Sequence, residues 1–467
     1  MLIIPFSTAV AAQQSDGITW QRGTGEAPAA APTAQMPQAP AVQYDPSEGQ
    51  VPAALQRWKM LSAPGNFSFG EYASFLMRYP DWPNSDEMRK NAEQAINPLS
   101  LSPSQVVAFF DRLPPLTNAG RARFAIALDA SGDTSRAEEQ ARAAWRGGSL
   151  NDDDEARMFR IAGNRFTSAD HDARVDRLLW SGSTRGAERW IAYTSPQRRP
   201  AFVAALATRL KAADADQKVQ DAGALANSEA TLIAARADFM RSTGNSIGAR
   251  ELLANRANLA APAPVLKDWY QLLLTHAQAA AKDGQYDVAY RIASRVDDAT
   301  PRGLAMIDQD ITTRDRYTSL TWLAGMTAME RLGRPGDAVA MFERYASAAK
   351  SAQTRSKGLH FAGKAAAKAG DQAAATRYHE QAAAYYESFF GQLSLEQLRR
   401  PLPQVPHITP AAPVLAEGNI PAVFLAAALA PKYGSWKDQS NFFRAIARNA
   451  KDPDDFAIAI GLSQKLG

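Results

Sequence analysis

A glycine followed five residues later by an alanine recurs along this chain, at Gly132/Ala137, Gly182/Ala187, Gly244/Ala249, Gly284/Ala289, Gly333/Ala338 and Gly370/Ala375. Before most of these glycines runs a segment of helical period, such as 121–131, 229–243 or 317–332, and after each a second such segment begins. A glycine at that place supplies the left-handed residue that ends a helix. Asp133, Asn245 and Asp371 then stand where an N-cap opens the next one. The alanine lets the second helix lie close against the first. A single match is weak in an Ala-rich chain. Six at helix boundaries predict an all-α fold, an α-superhelix of stacked, tetratricopeptide-like hairpins that can curl into a ring.

Composition narrows what such a solenoid handles. Hydrophobic residues make up 46% of the 467, enough for extensive burial, and 52 basic against 48 acidic residues leave only +4. That balance gives no field of the kind nucleic acid requires, so no nucleic-acid partner is expected. The absence of cysteine excludes disulfides, thiolate catalysis and cysteine metal sites. Residues 2–11 form a short apolar run ending in Ala9-Val10-Ala11-Ala12, small residues suited to signal peptidase, with polar Gln13-Gln14-Ser15-Asp16 behind them. The run is too short to span a bilayer, and no basic residue precedes Arg22. Residues 1–12 are therefore expected to be part of a signal peptide that starts upstream, which places the protein in the periplasm without a membrane span.

Residues 13–50, with Pro28, Pro32, Pro37 and Pro40, are expected to form an Ala/Pro-rich disordered spacer. The helical body is expected over 51–399. A Pro-rich connection follows at 400–415, carrying Pro401, Pro403, Pro406, Pro410 and Pro413, and residues 416–467 are expected to open a second helical domain with segments at 420–429, 440–449 and 454–466.

Several segments carry a family resemblance in collinear order. They are residues 69–84, including Phe69-Gly70-Glu71-Tyr72 and Tyr79-Pro80-Asp81-Trp82-Pro83-Asn84; Ala143-Ala144-Trp145-Arg146-Gly147-Gly148; Asp170-His171-Asp172 through Leu178-Leu179-Trp180; Ala289-Tyr290-Arg291-Ile292-Ala293-Ser294; and Phe389-Phe390-Gly391-Gln392-Leu393-Ser394. Together, over roughly 50–467, these resemble the soluble lytic murein transglycosylases of Gram-negative bacteria. The resemblance implies the superhelical U region and part of the linker domain of such an enzyme, with the C-terminal lysozyme-like catalytic domain lying downstream. It also implies peptidoglycan glycan strands as ligand, cell-wall enzymes as further partners, and 1,6-anhydromuramic acid formation as the chemistry of the missing domain.

In that family one glutamate acts first as general acid and then as base. Glu387-Ser388-Phe389-Phe390 fits the first four letters of its Glu-Ser-x-Phe signature, but Gly391-Gln392-Leu393-Ser394 follows where Gly-Leu-Met-Gln belongs. Glu387 is accordingly read as a surface residue, and no catalytic, cofactor or metal residue is assigned; the chain alone is expected to be inactive. Asp170, His171, Asp172 and Asp176 suggest a metal or proton-transfer cluster, against the plainer reading in which Asp170 caps a helix. His276, His360, His379 and His407 are isolated, and no HExxH pair, Walker A loop, GxGxxG or Gly-x-Ser-x-Gly elbow occurs.

Trp190, Trp269, Tyr270, Trp322, Tyr385 and Tyr386 are candidates for stacking on sugar rings, though at helical spacing such residues commonly fill hairpin interfaces. Arg121, Arg123, Arg291 and Arg295 are candidates for meeting peptide-stem carboxylates on a concave face, against plain solvation. Two function classes therefore stand side by side: a glycan-binding scaffold of a lytic transglycosylase, and a stand-alone periplasmic solenoid holding a protein partner by helix-in-groove contacts.

Overall fold

A computed structural model describes residues 49–404 and 421–450, together with Phe456, Ile460 and Gly461. The apolar run at 2–11, the spacer, most of the Pro-rich connection, His407 and nearly all of the segment expected at 454–466 lie outside the described residues. Every described residue from Gln50 onward belongs to one compact unit. Among the described residues there is no strand, and no helix is long and apolar enough to cross a membrane.

The α-helices run in order as α1 (Val51–Ser62), α2 (Phe69–Arg78), α3 (Ser85–Ala95), α4 (Pro103–Arg112), α5 (Asn118–Ala130), α6 (Thr134–Arg146), α7 (Asp152–Ala162) and α8 (Ser168–Trp180). They continue with α9 (Thr184–Ile191), α10 (Arg199–Leu210), α11 (Ala215–Asp221), α12 (Ala230–Ser242), α13 (Ser246–Asn255), α14 (Leu266–Lys282) and α15 (Tyr286–Ala293). The last seven are α16 (Ile311–Glu330), α17 (Pro335–Ser347), α18 (Ala352–Lys368), α19 (Gln372–Ala383), α20 (Phe389–Gln397), α21 (Ala422–Tyr433) and α22 (Trp436–Asn449).

The six glycine–alanine pairs fall at the junctions α5/α6, α8/α9, α12/α13, α14/α15, α16/α17 and α18/α19. All six glycines have φ between +63° and +89°. A Cβ at any of them would meet nothing within 4 Å, so the left-handed backbone, rather than crowding, is what asks for glycine. At five junctions the residue after the glycine donates its N–H to a carbonyl five residues back, for example Asp133 to Leu128 at 3.0 Å and Asn245 to Met240 at 2.8 Å, the bond that defines a Schellman stop. At Gly333 the equivalent bond, Arg334 to Ala328 at 2.8 Å, reaches six residues back, and Pro335 at the first turn then starts α17. The paired alanines are buried to within 3% of completely. Asp133, Asn245 and Asp371 each accept the N–H three residues on, as N-caps do.

Burial is organised as a solenoid requires. One apolar cluster joins α5 to α7, the next α8 to α12, the next α12 to α17 and the last α16 to α19, so most contacts link near neighbours. The first cluster breaks this rule. It contains α1 to α6 and also Phe424, Ala426, Ala427, Ala430, Tyr433, Phe442 and Ile446 from α21 and α22. The Phe442 ring lies 4.8 Å from Trp58 and 5.0 Å from Trp82, and Gln56 Nε2 donates to the Tyr433 carbonyl at 2.6 Å. Asn449 Nδ2 donates to the Asp81 carbonyl at 3.2 Å. The helices that follow the Pro-rich stretch thus share a core with the helices that begin the body.

Candidate functional site

The stripe of α6 that faces the core is Ala137, Ala141, Ala144 and Trp145. Helical period then forces Glu138, Arg142 and Arg146, spaced four apart, onto another face. On α5, Asn118 and Arg121 lie three apart, and on α8, Ala169, Ala173 and Arg177 form a third such row. These rows line an open cleft of about 1200 Å³, whose far side is the segment 261–264.

Ion pairs tie α8, which carries one of these rows, to its neighbours. The Arg174 guanidinium is fully buried, contacts the Glu155 carboxylate, donates to the Gly148 carbonyl at 2.6 Å and lies 4.0 Å from the centre of the Trp145 ring. Arg198 bridges Asp176 at 3.0 Å and Glu229 at 2.7 Å, while the Thr231 hydroxyl donates to Asp176. Burial pushes the Asp176 carboxyl up from its usual range, with Arg198 and Thr231 opposing. Burial pulls the Arg198 guanidinium down, but Glu229 and Asp176 outweigh it and the net direction is up. Charge here is locked into the scaffold.

Other cations of the lining are held more loosely. Arg142 and Arg146 each stand 3.5 Å from Asp170, and Arg165 contacts Glu138. Arg121 and Arg177 have no carboxylate in ion-pair contact among the described residues. Desolvation pushes the Arg177 guanidinium down from its ordinary value, Asp176 pulls it back, and Arg121 adds to the push. Two guanidiniums that repel each other across a cleft form a ready place for an anionic group.

The other sequence candidates are distributed differently. Arg123 binds Asp154 at 3.0 Å, away from the cleft, Arg291 binds Asp287 at 2.8 Å, and Arg295 holds Asn258 at 2.8 Å. Of the four arginines singled out from sequence, only Arg121 lines the cleft. Trp269 and Tyr270 are fully buried hairpin fillers. Trp190, Trp322, Tyr385 and Tyr386 are half-buried. Glu387 is exposed in the turn before α20.

The Asp170-His171-Asp172 run does not converge. Asp170 closes a capping box, its carboxylate accepting the Thr167 N–H at 2.9 Å while Thr167 serves as the N-cap, so α8 begins one turn earlier than Asp170 as N-cap implies. Asp172 accepts the Ser195 N–H at 2.8 Å and hydroxyl at 2.6 Å. His171 packs edge-on to Trp145 at 5.7 Å and stacks on Trp190 at 5.7 Å; burial pushes its imidazole down, with Asp170 opposing. Among the described residues no carboxylate hydrogen-bonds its ring. Among the described residues, no three His, Asp or Glu side chains are placed to hold a metal ion.

No family model and no curated protein sequence matches the chain. Among solved structures it is similar to the 70-kDa soluble lytic transglycosylase in complex with bulgecin A, at 12% identity and a TM-score of 0.43 over 87% of this chain. The chain spans 62% of the length of that structure's chain.

Proposed function

We propose that this protein is a periplasmic peptidoglycan-binding scaffold, the helical part of a lytic transglycosylase whose glycan-cleaving chemistry belongs to a further domain. The observation that carries the reading is the cleft on α5, α6 and α8, where Arg121 and Arg177 stand without an ion-pair partner among the described residues in a charged trough of about 1200 Å³. Such a trough suits a hydrated polymer bearing hydroxyls, amides and spaced carboxylates. An amphipathic helix needs a row of apolar anchors, whereas this lining is mainly arginine, glutamate, aspartate and alanine, which favours the glycan reading over the helix-in-groove one. The collinear sequence resemblance supports the same ligand. The scaffold's task is then to hold a strand by many weak polar contacts and present it to an active site elsewhere.

The test is co-sedimentation with purified sacculi. The wild-type chain should pellet at low salt and release progressively as salt screens the guanidiniums. The Arg121→Gln/Arg177→Gln double variant should bind several-fold more weakly with an unchanged circular dichroism spectrum. Absence of low-salt binding, or binding indifferent to both substitutions, overturns the proposal. Anhydromuropeptides in the supernatant that vanish in Glu387→Gln would instead make the chain itself an enzyme.

A further inference from the structure

A second cavity, of about 420 Å³, lies between the end of α8, α10, α12 and α14. Its size is within the range of small-molecule sites. Arg209 on α10 and Arg241 on α12 line it, with Asp238 one helical turn before Arg241, and His276 on α14 and Trp180 of α8 complete the wall. This cavity takes no part in the reading of the cleft.

Three observations mark it as a built site. First, among the described residues neither Arg209 nor Arg241 has a carboxylate in ion-pair contact; Arg209 feels Asp238 only at longer range. The other acid of the lining, Asp268, is already engaged by Arg316 at 3.4 Å, so it adds no free charge. Second, Arg209 Nε and His276 Nε2 are both shut from solvent with no hydrogen-bond partner among the described residues, and His276 is only 3% exposed. Buried polar atoms without partners are costly, and a bound molecule is one way of satisfying them. Third, burial holds the His276 imidazole down at about 4, with Arg241 and Arg250 adding to the effect, so at neutral pH it presents an uncharged ring and leaves the guanidiniums as the local cations.

Two unengaged guanidiniums and one unengaged carboxylate are complementary to a molecule with two carboxylates and one ammonium. We propose that the cavity bounded by Arg209, Asp238, Arg241 and His276 binds a small amino dicarboxylate, its carboxylates meeting the two arginines and its ammonium meeting Asp238. Trp180 supplies the apolar wall for the carbon chain. Charge-assisted contacts of this kind give both affinity and orientation.

Titration calorimetry of the full chain with L-glutamate tests the site, with N-acetylglutamate as the second probe to separate a free amine from an amide-blocked one. Glutamate should give saturable binding and N-acetylglutamate weaker binding. Arg241→Gln, a change at an exposed side chain, should weaken glutamate roughly tenfold or more with no change in melting temperature. Asp238→Asn should bring glutamate down to the level of its acetylated form, and the His276 ring resonances should move on ligand addition in the wild type. No saturable heat with glutamate, equal affinity for both probes, or an Arg241→Gln variant that binds like the wild type overturns the proposal. Sacculus binding by Arg241→Gln should match the wild type, so failure here and failure of the cleft reading are read out separately.

Discussion

His360 on α18, His379 on α19 and Ser394 on α20 meet in the core, and their protonation should set the acid limit of this end of the molecule. Nδ1 of His360 lies 2.9 Å and Nδ1 of His379 3.4 Å from the Ser394 hydroxyl, with the two rings 5.2 Å apart. One hydroxyl carries one proton, so it donates to one imidazole and accepts from the other, an arrangement that asks no charge of either ring. Burial holds His360 at about 4, with His379 and Lys364 adding to the shift, and burial and Lys364 push His379 the same way. A folded value below the unfolded one means that the unfolded chain takes up the proton first as pH falls. Stability is therefore complete above about 6.5 and lost progressively down to about 4. At about 1.4 kcal/mol per pH unit, His360 alone removes about 2 kcal/mol by pH 5 and about 3 kcal/mol by pH 4. Hydrogen exchange with mass spectrometry, corrected for intrinsic rates, should show protection of α18–α20 falling roughly 30-fold between pH 7.5 and 5. His360→Asn keeps a hydrogen-bonding group near Nδ1 without the titration and should shrink that loss. Protection of α18–α20 that is equal at the two pH values, or that falls no more than that of α5–α6, refutes the reasoning.

Other perturbations have equally definite outcomes. Ala338→Leu should overpack the fully buried α16/α17 contact and cost roughly 1 to 3 kcal/mol in urea unfolding. Gly370→Ala, at φ +89° with open space around it, should cost about 1 to 2 kcal/mol from backbone strain alone, and Gly370→Asn less. Arg174→Ala leaves the buried Glu155 carboxylate to Arg189 at 3.2 Å and the Trp190 indole N–H at 3.3 Å, and should cost up to about 3 kcal/mol, seen as a lowered melting temperature. Phe442→Ala empties the space between Trp58 and Trp82 and should cost roughly 3 to 5 kcal/mol while opening α21–α22 to limited proteolysis.

The hairpins were legible because their signals are local. A left-handed glycine, an N-cap and a buried alanine all lie within six residues, and each acts through its own backbone. The cleft was not, because it depends on which helix faces converge. Arg174 and Arg177 look alike in sequence, yet three residues turn one into the core and the other into the trough. The structure gives a reason for the glycine beside it: Gly148, at φ +93°, would place a Cβ 2.7 Å from Arg177 Cβ, so the loop after α6 runs tight against α8 at that residue. Asp170 was misplaced by a few residues because Thr167 and Asp170 form a reciprocal cap, in which the aspartate is the inner partner. The docking of α21 and α22 on α1 had no local signal at all, since Gln56 and Tyr433 are 377 residues apart.

That last contact governs how the chain is made. A solenoid ordinarily can fold from its first repeat while the rest is still being synthesised. Here the rings of Trp58 and Trp82 wait for Phe442, and at about 5 to 20 residues per second those 377 residues take about 20 to 75 s to emerge. Throughout that interval α1 to α3 carry an unfinished apolar face. The arrival of α21 and α22 is what closes it.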